Sequence, residues 1–357
     1  MSDRTYRAAI IGTGGISRPH ARAYQAIPNV ELVAAADISP TALEGFGKEF
    51  GVQRLYASAT EMLAKEKPEV VSVCTWPPHH VEPTLQACAA GVRAVLCEKP
   101  MAVDLAGADR MLHAAREAGV LLCINHQRRF ASRYATAHAL IDAGTIGAIT
   151  QITGICAGDA LTDGTHLIDL VRFLNSDRPI KSVFGSIEMS FRGEVNQRTP
   201  GMREFNDQRT RYGHHVETGS LALLQFTNGV RAHLEMGSLS RGGYQRIFVD
   251  GTEGRIEISG DRPLEGEAEL RFRRQTGGWE IPALAEVDPF RRNVESILDV
   301  LENGGTHLLA ADSARATLEA IMAIYESARV RKIVALPLDR RDSPLEAMIS
   351  SGEIPLN

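Results

Sequence analysis

Near its start the chain reads RAAIIGTGGIS (residues 7–17), a short apolar run followed by a glycine-rich turn. A helical pattern follows, with Pro19 in its first turn, where a missing N–H costs nothing. In such a strand–turn–helix, the first glycine permits a tight turn and the second lets the backbone approach a diphosphate. We therefore predict a phosphate cradle at residues 12–17, which are Gly12, Thr13, Gly14, Gly15, Ile16 and Ser17. A plain structural corner is the alternative, because Ser17 occupies the third glycine position.

The acidic residue at the end of the second predicted strand favours a dinucleotide. A second apolar run, residues 31–36, ends at Asp37, 20 residues after Ser17. An acid at this spacing accepts hydrogen bonds from the adenosine ribose. No Arg or Lys occurs at 38–42 to pair with a 2′-phosphate, which Asp37 would also repel. We expect NAD rather than NADP.

Strand and helix patterns alternate as far as residue 124. Helix starts carry capping residues, as in Ser39-Pro40, Ser58 with Glu61, and Asp104. Alternation at this spacing predicts a parallel, doubly wound sheet, whose ligands lie at the carboxyl ends of the strands. Further predicted strands are 70–75, 92–97 and 120–124.

Lys99 follows the strand at 92–97 and therefore falls in the expected ligand crevice, within Glu98-Lys99-Pro100. A lysine there can hydrogen-bond a substrate hydroxyl. Partial burial and a positive nicotinamide ring would lower its pKa and let it transfer a proton. A cis peptide bond before Pro100 is compatible with this turn.

The pattern changes after residue 124. Strand-like runs joined by tight turns, including Asn228-Gly229, predict a mostly antiparallel sheet. The predicted fold class is therefore α/β: a Rossmann domain at 1–124, and an α+β domain with a large open sheet at 125–357. The polar segment 192–215 lacks periodicity and suits a lid, an oligomer contact or disorder. The predicted strands are 150–156, 180–191, 216–227, 230–239, 244–250 and 255–259, and the predicted helices are 162–174, 289–302 and 310–330.

The chemistry of the second domain is predicted at Asp163-Gly-Thr-His166, where the first of these helices begins. A neutral histidine beside a carbinol can take the hydroxyl proton, and a nearby carboxylate would orient it. Asp163 and His166 share a helix face if both lie within the helix. The structural alternative is an Asp N-cap and a buried, hydrogen-bonded histidine.

Composition excludes several other classes. The chain has 357 residues, 44% hydrophobic and 23% charged, with a formal charge of −5, which argues against a nucleic-acid binder. No apolar run approaches the ~20 residues of a membrane span, and the start shows no secretory signal. Its five cysteines have no metal-ligand spacing, so we expect buried reduced thiols, no metal site and a cytoplasmic protein.

The motifs together resemble the Gfo/Idh/MocA oxidoreductase family. The resemblance rests on residues 12–17, Asp37, the block from Thr75 to Pro100, and residues 125–147. It implies an NAD(P)-dependent dehydrogenase acting on a hydroxyl carbon of a sugar, sugar derivative or cyclitol, with Lys99 touching substrate near the nicotinamide. It also implies a homodimer or homotetramer formed through the C-terminal sheet. Further cofactor-site residues implied by it are Thr75, Pro77, His80 and Glu98.

One departure from the family pattern leaves two interpretations open. The family usually has Asp four residues before the histidine, where this chain has Thr162. Either Asp163 substitutes through a shifted backbone, or Thr162 only binds substrate and His166 works with Lys99. The resemblance also places His126 near the substrate. Arg129 would hold the domain junction, with a structural salt bridge as its alternative.

Two other functions are weighed beside the dehydrogenase. The fold also hosts glycoside hydrolases that oxidise a ring hydroxyl transiently and re-reduce it. A non-catalytic regulator that binds the dinucleotide is the second alternative. Retention of Lys99 and His166 argues against the regulator.

Overall fold

The computed structural model describes residues 4–189, 210–237, 244–260 and 266–354. Most of the predicted segment 192–215 therefore lies outside the described residues. The chain forms two compact units, Met1–Gln127 with Asp288–Arg315, and Arg128–Val287 with Ala316–Asn357. Residues 288–315 thus group with the N-terminal unit, while the expected domains 1–124 and 125–357 stay a prediction.

Helices and strands follow in chain order. The helices are α1 (Ser17–Gln25), α2 (Pro40–Phe50), α3 (Ala59–Glu66), α4 (Val81–Ala89), α5 (Leu105–Ala118), α6 (Ser132–Asp142), α7 (Gly164–Leu174), α8 (Pro289–Asn303), α9 (Ala311–Val330) and α10 (Pro344–Ser350). The strands are β1 (Tyr6–Ile11), β2 (Val30–Ala36), β3 (Arg54–Tyr56), β4 (Val70–Val73), β5 (Ala94–Cys97), β6 (Leu121–Ile124), β7 (Ile149–Cys156), β8 (Ile180–Glu188), β9 (Thr210–Arg211), β10 (His214–His215), β11 (Gly219–Phe226), β12 (Arg231–Gly237), β13 (Gln245–Gly251), β14 (Gly254–Ser259), β15 (Leu270–Arg274) and β16 (Val334–Ala335).

The first unit is built on a six-stranded sheet in the order β3-β2-β1-β4-β5-β6, with every pairing parallel. The predicted doubly wound sheet is confirmed. The chain starts at β1, builds outward to β3, and then returns beside β1 with β4. This reversal leaves a crevice outside the carboxyl ends of β1 and β4, where ligands of such sheets bind.

Predicted capping residues start three helices of this unit. The hydroxyls of Ser39 and Ser58 accept the backbone N–H groups of Ala42 and Glu61, and the Asp104 carboxylate accepts that of Gly107 at 2.7 Å. Each bond satisfies a backbone donor that the first helical turn cannot use itself. Capping therefore fixes where α2, α3 and α5 begin.

The second unit contains an eight-stranded sheet in the order β15-β14-β13-β7-β12-β11-β8-β16. Only β7 and β12 pair in parallel among these described strands, so the predicted mostly antiparallel sheet is confirmed. Strand β7 packs under α7 through Gly154, where an added Cβ would lie 2.8 Å from a methyl of Leu167. This close approach holds the start of α7 at the carboxyl end of β7.

One face of this sheet stays exposed. Buried and exposed residues alternate along β8, β11 and β12, as expected when only one face is covered. On the open face, Phe184 of β8 lies directly opposite Leu223 of β11, with Leu221 two residues along. All three side chains are exposed.

The five cysteines are free and buried, which confirms the prediction of reduced interior thiols. Burial raises the pKa of each thiol; for Cys156 it reaches about 12. Among the described residues, no helix has both the length and the apolar character required to cross a bilayer.

Candidate active site

The glycine-rich turn joins β1 to α1 at the switch point of the parallel sheet. Gly12 has φ +91, and a Cβ there would lie 2.7 Å from the carbonyl carbon of Cys74, so the position requires glycine. A Cβ on Gly14 or Gly15 would meet nothing within 4 Å. The turn therefore packs tightly below and is open above, which fits a diphosphate approaching the backbone at the start of α1.

Asp37 lies beside this turn at the carboxyl end of β2. Its Oδ2 accepts the backbone N–H of Thr13 at 2.6 Å and the Thr13 hydroxyl at 2.9 Å, and its Oδ1 accepts the backbone N–H of Ser39 at 2.8 Å. An ionised carboxylate offers about four lone-pair sites. The half-buried Asp37 can therefore also accept hydroxyls from a ribose bound above the turn.

His80 ties the loop after β4 to the loop after β5. Its Nδ1 lies 2.8 Å from the carbonyl oxygen of Pro100 and its Nε2 lies 3.0 Å from that of Thr75. The ring is 0% exposed, and burial lowers its pKa. Through these contacts, His80 holds the two loops together. Pro77 is buried in the turn between Thr75 and His80.

Lys99 lies two residues after the end of β5 and is half-buried, and its peptide bond to Pro100 is cis. Its neighbour Glu98 is buried, and Oε1 of Glu98 accepts hydrogen bonds from His20 Nε2 at 2.7 Å and Asn125 Nδ2 at 2.6 Å. The positive charge of Lys99 contributes to lowering the pKa of both Glu98 and His80. His126, predicted near the substrate, is buried just after β6 at the same sheet edge.

Two exposed apolar residues at this edge were not predicted as site residues. Ile38 follows Asp37 and is 93% exposed, and Trp76 follows Thr75 and is 58% exposed. They join Ile16, which is also exposed, on the side of the sheet where the cradle opens. Apolar side chains here fit the flat rings of a dinucleotide. The sequence signal was their position directly after residues already assigned to the site.

In the second unit, Asp163 is the residue before α7 and His166 lies in its first turn. The Asp163 side chain makes no capping hydrogen bond. Its Oδ2 instead pairs with Arg211 Nη1 at 2.5 Å, and its Oδ1 accepts the Tyr244 hydroxyl. Asp163 therefore lies outside the helix, so the condition for a shared helix face with His166 is not met. Thr162 and His166 are both buried.

Arg211 was not predicted from sequence and stands at the centre of this region. It bridges Asp163 and Asp159, whose Oδ2 lies 3.0 Å from the same Nη1. Asp159 also accepts the backbone N–H of Thr162 at 2.6 Å. These contacts fix the loop that precedes α7. No local pattern marks Arg211, because it lies 48 residues from its partner Asp163.

Three further polar side chains of the second unit are Arg129, His214 and His215. Arg129 forms a buried ion pair with Asp169, at 2.7 and 2.8 Å, and contacts Asp177, which agrees with its structural alternative. His214 is buried, and its Nε2 lies 3.4 Å from the Thr162 hydroxyl oxygen. Nδ1 of His215 lies 2.9 Å from Oε1 of Glu346.

Comparisons with known proteins agree with this architecture. Residues 6–126 match the family model described as an oxidoreductase family with an NAD-binding Rossmann fold, and residues 134–257 match the GFO/IDH/MocA C-terminal domain. A D-apiose dehydrogenase of Paraburkholderia graminis is 28% identical, covering 98% of this chain and 95% of that protein. An inositol 2-dehydrogenase of Rhizobium meliloti is 23% identical, covering 93% and 99%.

A solved structure also shares the fold. An oxidoreductase from Agrobacterium radiobacter, crystallised with NAD+, L-tartaric acid and magnesium, superposes with a TM-score of 0.77. It is 18% identical and the match covers 92% of this chain and 98% of that one. The two family models together span most of both units, and the cradle at Gly12–Ser17 lies within the first. The chain belongs to the GFO/IDH/MocA oxidoreductase family and has its NAD-binding Rossmann domain.

Proposed function

We propose that the protein is an NAD-dependent dehydrogenase that oxidises a hydroxyl carbon of a sugar, a sugar derivative or a cyclitol. The observation that carries the proposal is the position of Lys99, two residues after β5 at the edge where the glycine-rich cradle opens. The named activities of the D-apiose and inositol dehydrogenases support this substrate class. The preference for NAD is supported by Asp37, whose charge opposes a 2′-phosphate.

Bound NAD+ would accept a hydride from the carbinol carbon. The chain would hold it through residues 12–17 and Asp37, with Thr75, Pro77, His80 and Glu98 shaping the adjoining loops. Lys99 would hydrogen-bond the reacting hydroxyl, and His166 would take its proton as general base. Thr162 and His126 are proposed to bind the substrate.

Of the two interpretations of the family's missing Asp, we favour the one in which His166 works with Lys99. The Asp163 carboxylate is held by Arg211 and Tyr244, and such ion pairs are costly to break when buried. Asp163 would then position the loop before α7 and would not exchange protons with substrate.

The test is reduction of NAD+ at 340 nm across a panel that includes D-apiose, myo-inositol and D-glucosides. We expect turnover on at least one polyol or sugar. On that substrate, Lys99→Arg and Lys99→Ala should lower kcat by about 10²-fold or more, the usual contribution of a proton-transfer group. The matched control is Lys48→Ala, at an exposed lysine of α2. Full turnover by Lys99→Ala would refute the assigned role.

Two other outcomes would replace the proposed function. Cleavage of an aryl glycoside without net NADH formation would indicate the transient-oxidation hydrolase. Tight NAD+ binding without turnover on the whole panel would indicate a regulator.

We further propose that the protein forms homodimers or homotetramers through the open face of the eight-stranded sheet. Exposed Phe184, Leu221 and Leu223 support this, because a contiguous apolar patch on a protein surface commonly marks an interface. Light scattering after gel filtration should give a multiple of 38.8 kDa. Leu223→Glu should shift it towards the single-chain mass, and a wild-type monomer would end the proposal.

A cytoplasmic location is also proposed, on the ground that the five cysteines are free. Fractionation of the native host should then recover the protein with cytoplasmic markers, and recovery outside the cytoplasm would refute it.

A further inference from the structure

A chain of polar side chains is buried beneath the carboxyl ends of β4, β5 and β6. Ser72 Oγ lies 2.6 Å from the Tyr24 hydroxyl oxygen and 2.9 Å from His20 Nδ1. The other ring nitrogen of His20, Nε2, lies 2.7 Å from Glu98 Oε1. Tyr24, Ser72 and His20 are 0% exposed. A polar chain this deep is costly unless every member is paired, so its presence calls for an explanation.

Hydrogen-bonding capacity fixes the bond at the Glu98 end of this chain. An ionised Glu98 can only accept, so His20 must donate from Nε2. Nδ1 of His20 and the hydroxyls of Ser72 and Tyr24 can pair in either direction, because each hydroxyl can both donate and accept. Every group therefore has a partner, and the chain ends on Glu98.

Glu98 is held from a second side as well. Asn125 Nδ2 donates to the same Oε1 at 2.6 Å, and Asn125 Oδ1 accepts from Asn293 Nδ2 at 2.8 Å. Burial would raise the pKa of Glu98, but the hydrogen bond and electrostatic effect of His20, the hydrogen bond from Asn125 and the charge of Lys99 outweigh it, so the pKa is lowered. The carboxylate is therefore ionised at neutral pH although it is only 4% exposed.

We propose that His20 is a positioning residue: by donating to Glu98 it keeps a fixed negative charge beside the Lys99 ammonium and so sets the pH at which Lys99 loses its proton. The inference deepens the proposed function, because it matters for turnover only if Lys99 handles the substrate proton. His20 itself contacts no reacting atom and acts through Glu98. A histidine suits this position because one rigid imidazole ring can accept a hydrogen bond at one nitrogen and donate a hydrogen bond from the other.

Other titratable groups near Glu98 do not supply this charge. Cys74, just after β4, and Cys97 of β5 stay neutral, because burial and the charge of Glu98 raise the pKa of both thiols. His80 shares the field of Lys99 and Glu98, and burial lowers its pKa, so it is neutral too. Phe290 of α8 covers the His20 ring edge-on and carries no charge. Among these neighbours, only Glu98 is negative.

The experiment titrates Lys99 directly. The chain has six lysines, at 48, 65, 67, 99, 181 and 332, so reductive methylation with ¹³C-formaldehyde gives a countable set of NMR signals. Loss of one signal in Lys99→Arg assigns the Lys99 resonance. Its pKa is then measured with and without NAD+ in wild type, His20→Leu, His20→Gln and Glu98→Gln. Gln keeps an N–H donor at the place of Nε2, whereas Leu removes it.

We expect the pKa of Lys99 to fall by about 1 to 2 units in Glu98→Gln, because an adjacent opposite charge favours the ammonium form. It should fall less, in the same direction, in His20→Leu, and return towards wild type in His20→Gln. A Lys99 titration that is unchanged or raised in His20→Leu would overturn the proposal. If His20→Leu fails to fold, Glu98→Gln carries the test alone, and an unchanged Lys99 there would also overturn it.

This readout needs no substrate, so it is independent of the proposed function. Full turnover by Lys99→Arg, together with a Lys99 titration that follows His20, would defeat the dehydrogenase role of Lys99 and leave the positioning role intact. Loss of turnover in Lys99→Arg, together with a Lys99 pKa that does not change in the His20 variants, would support the dehydrogenase role of Lys99 and refute the positioning role of His20.

Discussion

Oδ2 of Asp37 lies 2.6 Å from the backbone nitrogen of Thr13, so the end of β2 is tied directly to the glycine-rich turn. The carboxylate thus has two functions: it fixes the turn, and it presents its remaining lone pairs at the cofactor edge. A substitution here should affect both.

Asp37→Ala is expected to weaken NAD+ binding by about tenfold or more, since hydrogen bonds to a charged group are worth about 1.5–3 kcal/mol. The preference for NAD+ over NADP+ should fall as well, because the charge that repels a 2′-phosphate is gone. Calorimetric titration of both cofactors measures this. Glu44→Ala, at an exposed acid in α2, should leave both affinities at wild-type values. Equal affinities in Asp37→Ala and wild type would contradict the assignment.

Alanine substitutions at two glycines of the cradle should affect different properties, one the stability of the fold and the other the affinity for NAD+. Gly12→Ala should lower the melting temperature, because φ +91 is strained for alanine and its Cβ would press on the backbone of Cys74 and Thr75. Gly14→Ala should fold normally, since its Cβ meets nothing, but should lose NAD+ affinity because the methyl occupies the approach of the diphosphate. Thermal unfolding with and without NAD+ separates the two. Unimpaired NAD+ binding by Gly14→Ala would argue against the predicted cradle.

Glu217 should make stability depend on pH. Burial, followed by the charge of Asp159, raises its pKa to about 7, above its ordinary 4.5. The folded state binds the proton on Glu217 more tightly than the unfolded state does, so protonation of Glu217 stabilises the fold. This stabilisation is fully present below pH 4.5. It is lost as the pH rises to 7, by up to about 1.4 kcal/mol of unfolding free energy per pH unit.

Glu217→Gln removes this dependence while keeping an oxygen for the Ala160 N–H and a polar partner for the Tyr325 hydroxyl. We expect the variant to gain stability over wild type progressively between pH 4.5 and 7, as measured by denaturant unfolding. A stability difference between the two proteins that does not vary with pH would rule the explanation out.

Two arginine ion pairs differ in burial and should differ in energy. Arg129→Met leaves the Asp169 carboxylate buried without its main partner and should cost about 3–5 kcal/mol of unfolding free energy. Arg116→Met breaks an exposed pair with Asp312 and should cost about 1 kcal/mol or less. Urea unfolding compares them. Similar losses in both variants would show that burial does not govern the Arg129 pair.

The two interpretations of α7 can be separated by kinetics. His166→Asn should lower kcat by about 10²-fold or more if the imidazole is the general base. Asp163→Asn should chiefly lower the melting temperature, because it weakens the ion pair with Arg211. The measurement is kcat on a confirmed substrate beside thermal unfolding. A kcat loss in Asp163→Asn as large as that in His166→Asn, without loss of stability, would favour Asp163 as a catalytic residue.

Prediction from sequence worked where short-range rules govern the backbone. The caps at Ser39, Ser58 and Asp104 and the strands of the parallel sheet follow from neighbouring residues alone. The short elements β3, β16 and α10 were missed, because two to seven residues carry too little periodicity to stand out. The parallel pairing of β7 with β12 was missed for another reason: the partners lie about 80 residues apart in the chain.

The sequence alone determined the cradle at Gly12–Ser17, the acid at Asp37 and the lysine after β5, since each is defined by its distance from a strand end. Only the tertiary structure decided that Asp163 binds Arg211 and that Glu98 receives His20 and Asn125, residues 78 and 27 positions away. The physical reason is the range of the forces involved. Turns and caps are fixed by local sterics and hydrogen bonds, whereas a buried charge takes whichever partner the crossovers of the sheet bring to it.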